Sequence, residues 1–166
     1  MNIIFEVTGG IGKNIIATAI VRLFKEQHPD KTLMVVASHP EVFLNNPNVD
    51  ELFSVHERDK MYNFVYPDTW FCGQEPYLES NFVVKKENIY RTWANLYNLK
   101  YNGEQPELFL TKKEKVEYSQ LFDNSKPILV IHPHGGEKFS RDFILDPHNP
   151  QKPDTGYNWV RDIPTP

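Results

Sequence analysis

The chain has 166 residues, of which 40% are hydrophobic and 24% charged, values typical of one soluble globular domain with a buried core. Its formal net charge of -4 lacks the basic excess of a nucleic-acid-binding protein, so no nucleic-acid partner is expected. No apolar run reaches the roughly 20 residues of a membrane span, and a single cysteine excludes an internal disulfide, which together favour a cytoplasmic protein.

The start of the chain predicts a strand–helix–strand unit. Residues 2–7 form a short, nearly continuous apolar run, which is the pattern of a buried parallel strand. Apolar side chains then recur at helical spacing across residues 13–27, and residues 33–37 form a second apolar run. The general rule for such crossovers predicts that the two strands pair in parallel.

The elements that follow are shorter. A helix that starts at a proline, an Asn/Pro turn and a third strand at residues 51–55 are predicted next, whereas the aromatic stretch 62–80 has no regular period. A helix is predicted at residues 86–99, where apolar side chains share one face. Thr111 and Glu114 stand at capping-box spacing and predict the start of another helix.

The last clear strand is predicted at residues 128–132, before a loop that contains proline and glycine. The alternation of strands and helices predicts an α/β domain with a mostly parallel sheet over residues 1–136. Residues 137–166 are rich in proline and have no sustained apolar period, so a loop or tail is predicted there.

The first strand and helix are joined by a turn that contains Gly9, Gly10 and Gly12, followed by Lys13 and Asn14. Glycines let a ligand approach the backbone, and the N-terminus of a helix attracts anions. The spacing matches neither the P-loop nor the dinucleotide motif G-x-G-x-x-G, which argues against a kinase or an NAD site. The turn is therefore either another kind of ligand site or only a tight bend.

Four stretches stand in an order that resembles the N-terminal half of one enzyme family. They read "MNIIFEVTGGIGKNIIATAIVRLFKEQHPDKTLMVVASHPEVFLNNPNVDELF", "ENIYRTWANLYNLKYNGEQPELFLTKKEK", "ILVIHPHGG" and "YNWVRDIP". Their order resembles that of the heptosyltransferase-like (family 9) glycosyltransferases of the GT-B class. The resemblance covers nearly the whole chain, but only the N-terminal half of the family.

The resemblance implies one half of a GT-B fold, a Rossmann-like domain with helices on both faces of its sheet. It also implies a glycosyltransferase domain on the acceptor side, which transfers a sugar from a nucleotide-sugar to a hydroxyl of a sugar or glycan acceptor. The resemblance implies a direct displacement without a metal or other cofactor, in which the nucleotide-sugar is the donor substrate. In this family the donor lies mainly on the C-terminal domain, so a second domain or a partner chain is expected to complete the cleft.

The family's usual catalytic base is an acidic residue directly after the last glycine of the turn, where this chain has Lys13. An ammonium is a poor base at neutral pH and suits an anionic substrate group better. Two other candidates for the base are Glu6 on the first strand and His134 after the last predicted strand. Ligands bind at the carboxyl edge of such sheets, which the glycine turn and the loop with Gly135 and Gly136 should share. We therefore name His134 as the catalytic candidate and the glycines of both loops, with Lys13 and the asparagine after it, as substrate-binding candidates.

Further candidates lie in the tail. Tyr157 and Trp159 can stack on a sugar or a base, or only anchor the tail, and Arg161 offers a planar fork to a phosphate or carboxylate. His132 and His134 alternate along the last predicted strand, but no third ligand stands at a zinc spacing, so no metal site is predicted.

An alternative to the enzyme is a non-catalytic α/β binding or assembly module that kept the fold and lost the chemistry. Two features favour it. Lys13 replaces the family's acidic residue, and a chain that stands alone as this half of the fold would be without the domain that holds the donor.

Overall fold

The computed structural model describes residues 2–121, and the first compact unit of the chain ends at Val116. The strand predicted at 128–132, the domain boundary predicted after residue 136 and the proline-rich tail lie outside the described residues. The described strands are β1 (Asn2–Val7), β2 (Thr32–Ala37), β3 (Glu51–Ser54) and β4 (Trp70–Cys72).

Helices connect these strands and follow them. The α-helices of the described residues are α1 (Ile11–Gln27), α2 (Arg58–Met61), α3 (Ser80–Val83), α4 (Ile89–Leu96) and α5 (Lys112–Leu121). Single turns of 3₁₀-helix cover Pro40–Phe43, Val55–Glu57, Tyr62–Phe64 and Pro76–Leu78. Within residues 2–121, none of the helices combines the length and the apolar character that crossing a membrane requires.

β1 lies inside a four-stranded parallel sheet with the order β3-β2-β1-β4. It pairs with β2 on one side, where Phe5 is opposite Val35, and with β4 on the other, where Phe5 is opposite Cys72. The carboxyl ends of all four strands therefore lie at one edge of the sheet, the edge where open α/β sheets bind ligands. The predicted parallel, Rossmann-like α/β fold is confirmed.

One face of the sheet packs against α1 and α4. Phe5 of β1, Phe24 of α1 and Trp93 of α4 are fully buried there. The ring centroid of Phe5 lies 5.4 Å from that of Phe24 and 5.6 Å from that of Trp93, in tilted arrangements. Aromatic pairs of this kind contribute about 0.5–1.5 kcal/mol each beyond the area they bury, so they hold both helices firmly against the sheet.

The other face carries a second, smaller core. Ile4, Met34 and Val36 are buried on it, together with Phe53 and with Met61 of α2. The segment that contains α2 and the following 3₁₀ turn covers this face on the β3 side. Helical segments thus lie on both faces of the sheet, as the family resemblance implied.

β4 is a strand that sequence analysis did not predict. Its three residues are too few to show a period, and the middle one, Phe71, is 52% exposed. The strand forms because its backbone pairs with residues 3–5 of β1, which are distant in sequence. The chain that leaves β4 therefore ends up at the ligand-binding edge, beside the glycine turn.

The helix predicted at residues 86–99 is shorter in the structure, where α4 spans Ile89–Leu96. Asn88 starts it, because its side-chain oxygen accepts a hydrogen bond from the N–H of Tyr90 at 2.9 Å. The chain has left the helix by Asn98, whose φ of 54° is left-handed, a conformation common just past a helix end.

Candidate functional site

The glycine turn lies between β1 and α1 at the carboxyl edge of the sheet. Gly9 has a φ of 101°, which L side chains rarely adopt, so the bend itself requires glycine there. At Gly10 and Gly12 an added Cβ would meet no atom within 4 Å. Packing does not explain these two glycines, but they leave open space beside the start of the helix.

The N-terminus of α1 opens into this space. Gly10 is its N-cap, no side chain of the described residues caps it, and its first turn carries no acidic residue. The N–H groups of Lys13 and Asn14 donate to the carbonyl of Gly10 at 3.1 and 3.3 Å, which leaves the preceding N–H groups of the first turn for a ligand. The turn therefore offers donors and a positive helix end to an anionic or hydroxyl-bearing group.

Asn14 fixes the glycine turn through hydrogen bonds of its buried side chain. Its side chain is fully buried, and its Nδ2 donates to the carbonyl of Gly10 at 3.0 Å and to Oγ of Ser38 at 3.2 Å. Its Oδ1 accepts the N–H of His39 at 3.4 Å. Asn14 thus joins the glycine turn to the end of β2, and its contribution to a ligand site is to shape that site.

Lys13 is paired within the chain. Its ammonium contacts the carboxylate of Glu75, which follows β4. The same Nζ lies 5.7 Å from the ring centroid of Trp93, and the Lys13 side chain is only 12% exposed against 36% for Glu75. An incoming anion must therefore compete with Glu75 for this ammonium, and the carboxylate is the more accessible partner.

A histidine and a carboxylate follow β2 at the same edge. Nδ1 of His39 lies 2.9 Å from Oε1 of Glu41, and this hydrogen bond is the main cause that lowers the pKa of the Glu41 carboxyl. A carboxylate at Nδ1 orients the ring and leaves Nε2 to accept a proton, which is the arrangement of a general base. Sequence analysis missed both residues, although a histidine directly after a buried strand was a usable signal.

Glu6, a candidate base from the sequence, lies on the face of the sheet opposite α1. The register of the sheet sets it beside Val36, and its side chain, 15% exposed, accepts a hydrogen bond from the guanidinium of Arg58. The remaining candidates all lie outside the described residues: His134, Gly135, Gly136, Tyr157, Trp159 and Arg161. Their roles stay predictions.

Metal and thiol chemistry find little support within the part of the chain that the structure describes. Residues 2–121 hold no group of three or more His, Cys, Asp or Glu side chains that could hold a metal ion. Cys72 is a free, buried thiol whose pKa burial raises to about 12, so it stays protonated at neutral pH and is a poor nucleophile.

Comparison with known proteins supports a relationship at the level of the fold. No match was found among protein-family models or among curated proteins. The fold is similar to that in the crystal structure of a glycosyl transferase family 9 protein from Veillonella parvula DSM 2008, with a TM-score of 0.54 and 12% sequence identity. The match covers 87% of this chain and 59% of that one. At this identity the similarity concerns the fold alone.

Proposed function

We propose that this chain is the acceptor-side, N-terminal domain of a heptosyltransferase-like GT-B glycosyltransferase. The observation that carries the proposal is the open glycine turn and uncapped start of α1 at the carboxyl edge of a parallel sheet. The likeness of the fold to a family 9 glycosyl transferase supports the part of this proposal that concerns the fold. The substrates are a nucleotide-sugar donor and a sugar or glycan acceptor, and a second domain or partner chain completes the cleft.

The chemistry is a direct displacement that needs no metal or cofactor. The acceptor oxygen attacks the anomeric carbon of the donor, a new C–O bond forms, and the bond to the nucleoside diphosphate breaks. The hydroxyl proton passes to a base. We propose His39 for that base among the described residues, because Glu41 orients its ring. His134, predicted from the sequence, is the other candidate.

The remaining site residues hold substrate in this proposal. The turn of Gly9, Gly10 and Gly12 faces the acceptor, and Asn14 keeps the turn in shape. Lys13 joins them as a cation that Glu75 holds in place. The other substrate-binding candidates lie outside the described residues, and we propose that they line the same cleft: Gly135, Gly136, Tyr157, Trp159 and Arg161. A reducing compartment such as the cytoplasm suits the free thiol of the chain.

A non-catalytic binding or assembly module is the second candidate function. Lys13 stands where the family has its acidic residue, and its ammonium is already paired with Glu75. A module of this kind keeps the fold and the open turn but transfers no sugar.

The test is to incubate the full-length protein with a panel of nucleotide-sugars and sugar acceptors and to measure the nucleoside diphosphate released. We expect acceptor-dependent release, and we expect His39→Gln to lower kcat about 100-fold, the lower end of what a general base contributes. His28→Gln is the matched control, because that ring packs on Trp70 with centroids 5.6 Å apart, at the far end of α1.

The outcomes separate the candidates. Release that survives in His39→Gln removes His39 from the mechanism and leaves His134 as the remaining candidate for the base. If no nucleotide-sugar is turned over with any acceptor, the transferase proposal fails and the binding module remains.

A further inference from the structure

A cavity of about 270 Å³ lies on the face of the sheet opposite α1, above β1 and β4. We call it the β1–β4 cavity. Ile4 and Met61 are buried at its apolar base. Glu6 and Arg58 line one part of it, and the rings of Tyr62 and Phe71 line another. It shares no residue with the glycine turn and has no role in the site described above.

The two aromatic rings are unusually open to solvent. Tyr62 is 65% exposed and Phe71 is 52% exposed, although large aromatic side chains are mostly buried in a folded domain. Phe71 is opposite Ile4 in the register of β1 and β4, so it stands on the same face of the sheet as the cavity. The negative face of an aromatic ring attracts the weakly positive C–H groups of a ligand that packs against it.

The polar part of the cavity is the Glu6–Arg58 pair. The Arg58 guanidinium donates to one carboxylate oxygen of Glu6, and within residues 2–121 neither side chain has another hydrogen bond. The second Glu6 oxygen therefore remains as an acceptor, and further N–H groups of Arg58 remain as donors. The opposite charges balance each other, which favours a neutral ligand rich in hydroxyl groups over an anion or a cation.

Resting on the proposed function, we propose that the β1–β4 cavity binds one neutral pyranose ring of the acceptor. Hydroxyl groups of the sugar donate to Glu6 and accept from Arg58, while its C–H face packs on Phe71 or Tyr62. The volume lies below the roughly 300–1,000 Å³ of pockets that hold drug-sized ligands, which favours a ligand as small as a single ring.

The chain that leaves β4 connects this cavity with the glycine turn. A Cβ added at Gly73 would lie 2.9 Å from the Phe71 ring and 3.8 Å from Cβ of Glu6. Two residues later, Glu75 contacts Lys13 of the turn. A sugar in the cavity thus lies next to the edge where transfer is proposed, so an acceptor of more than one ring can reach both places.

The experiment is saturation-transfer-difference NMR on the full-length protein with a panel of neutral methyl glycopyranosides. We expect at least one of them to bind, and we expect Glu6→Gln and Phe71→Ala each to raise its Kd about tenfold. Tyr66→Ala is the control, because Tyr66 is 55% exposed but does not line the cavity. Far-UV circular dichroism checks that each variant is folded.

Three results would overturn the cavity proposal: no glycoside binds, both cavity variants bind the glycoside with the Kd of the wild type, or inorganic phosphate displaces the sugar in the same site. The binding assay contains no nucleotide-sugar, so a negative result rejects the cavity site without testing sugar transfer. Glycoside binding without turnover leaves this site in place and rejects the transferase. Turnover with an acceptor KM that is unchanged in Glu6→Gln and Phe71→Ala rejects only the site.

Discussion

Lys13 and Asn14 are adjacent in the glycine turn, and both are ligand candidates by sequence, yet their surroundings differ. Asn14 is buried, and its side-chain amide donates hydrogen bonds to the glycine turn and to Ser38 at the end of β2. Lys13 reaches the rim, where Glu75 neutralises its ammonium. The residue type and the motif indicate nearness to a ligand, whereas the partner of each side chain comes from another segment of the chain.

Asn14 is expected to contribute more to stability than its place in a turn suggests. Asn14→Ala removes the acceptor of the His39 N–H and the donor to Ser38. We expect the free energy of unfolding to fall by about 2 kcal/mol, within the range for a buried group left without its partner. Urea denaturation measures the change.

Asn95→Ala is the matched control, because Asn95 is an exposed residue of α4. Surface substitutions of this kind usually change stability by less than about 0.5 kcal/mol. An equal effect of the two substitutions would show that the amide of Asn14 does not hold the turn.

Some secondary-structure elements form through contacts between residues close in sequence, and others through contacts with distant segments. The capping box predicted for α5 is confirmed: the N–H of Glu114 donates to Oγ1 of Thr111 at 3.2 Å, and the N–H of Thr111 donates back to the Glu114 carboxylate at 2.7 Å. Its partners are three residues apart, so the sequence alone contains the signal. β4 has no such signal, because the residues of β1 that it pairs with lie 67 positions earlier in the chain.

The N-cap of α4 can be tested as a contact between residues close in sequence. Asn88 accepts hydrogen bonds from the first N–H groups of α4, and α4 places Trp93 in the core. We expect Asn88→Ala to lower the free energy of unfolding by about 1 kcal/mol, the usual value of an N-cap. Asn88→Asp retains a side-chain acceptor and should stay close to the wild type. Thermal or urea unfolding of both variants decides, and a loss of the same size in Asn88→Asp would reject the capping role.

The whole molecule determines the chemistry of two groups that no motif marks. Cys72 of β4 and Tyr97, just after α4, are both buried between the sheet and its helices. Burial is the main cause that raises the pKa of each to about 12, from 9.0 for the thiol and 10.0 for the phenol. Both groups therefore stay protonated in the folded protein at pH values where the unfolded chain ionises.

This difference predicts alkaline sensitivity. A pKa raised by folding leaves stability unchanged below the unfolded value and lowers it as the pH rises toward the folded value. We expect the free energy of unfolding to fall by about 3 kcal/mol between pH 8 and pH 10.5, about two thirds of it from the thiol, measured by urea denaturation at each pH. Cys72→Ala removes the larger contribution, so most of this fall should vanish. The same fall in wild type and Cys72→Ala would contradict the assignment.

The division between sequence and structure follows the range of the interactions. Apolar periods, capping residues and a bend that requires glycine depend only on residues close together in the chain. The sequence by itself therefore determined β1, the glycine turn, α1 and β2. The tertiary structure alone decided that Lys13 meets Glu75, 62 residues away, and that Glu6 meets Arg58, 52 residues away. Such pairs depend on which strands lie side by side, and the free energy that selects the strand order comes from burial across the whole sheet.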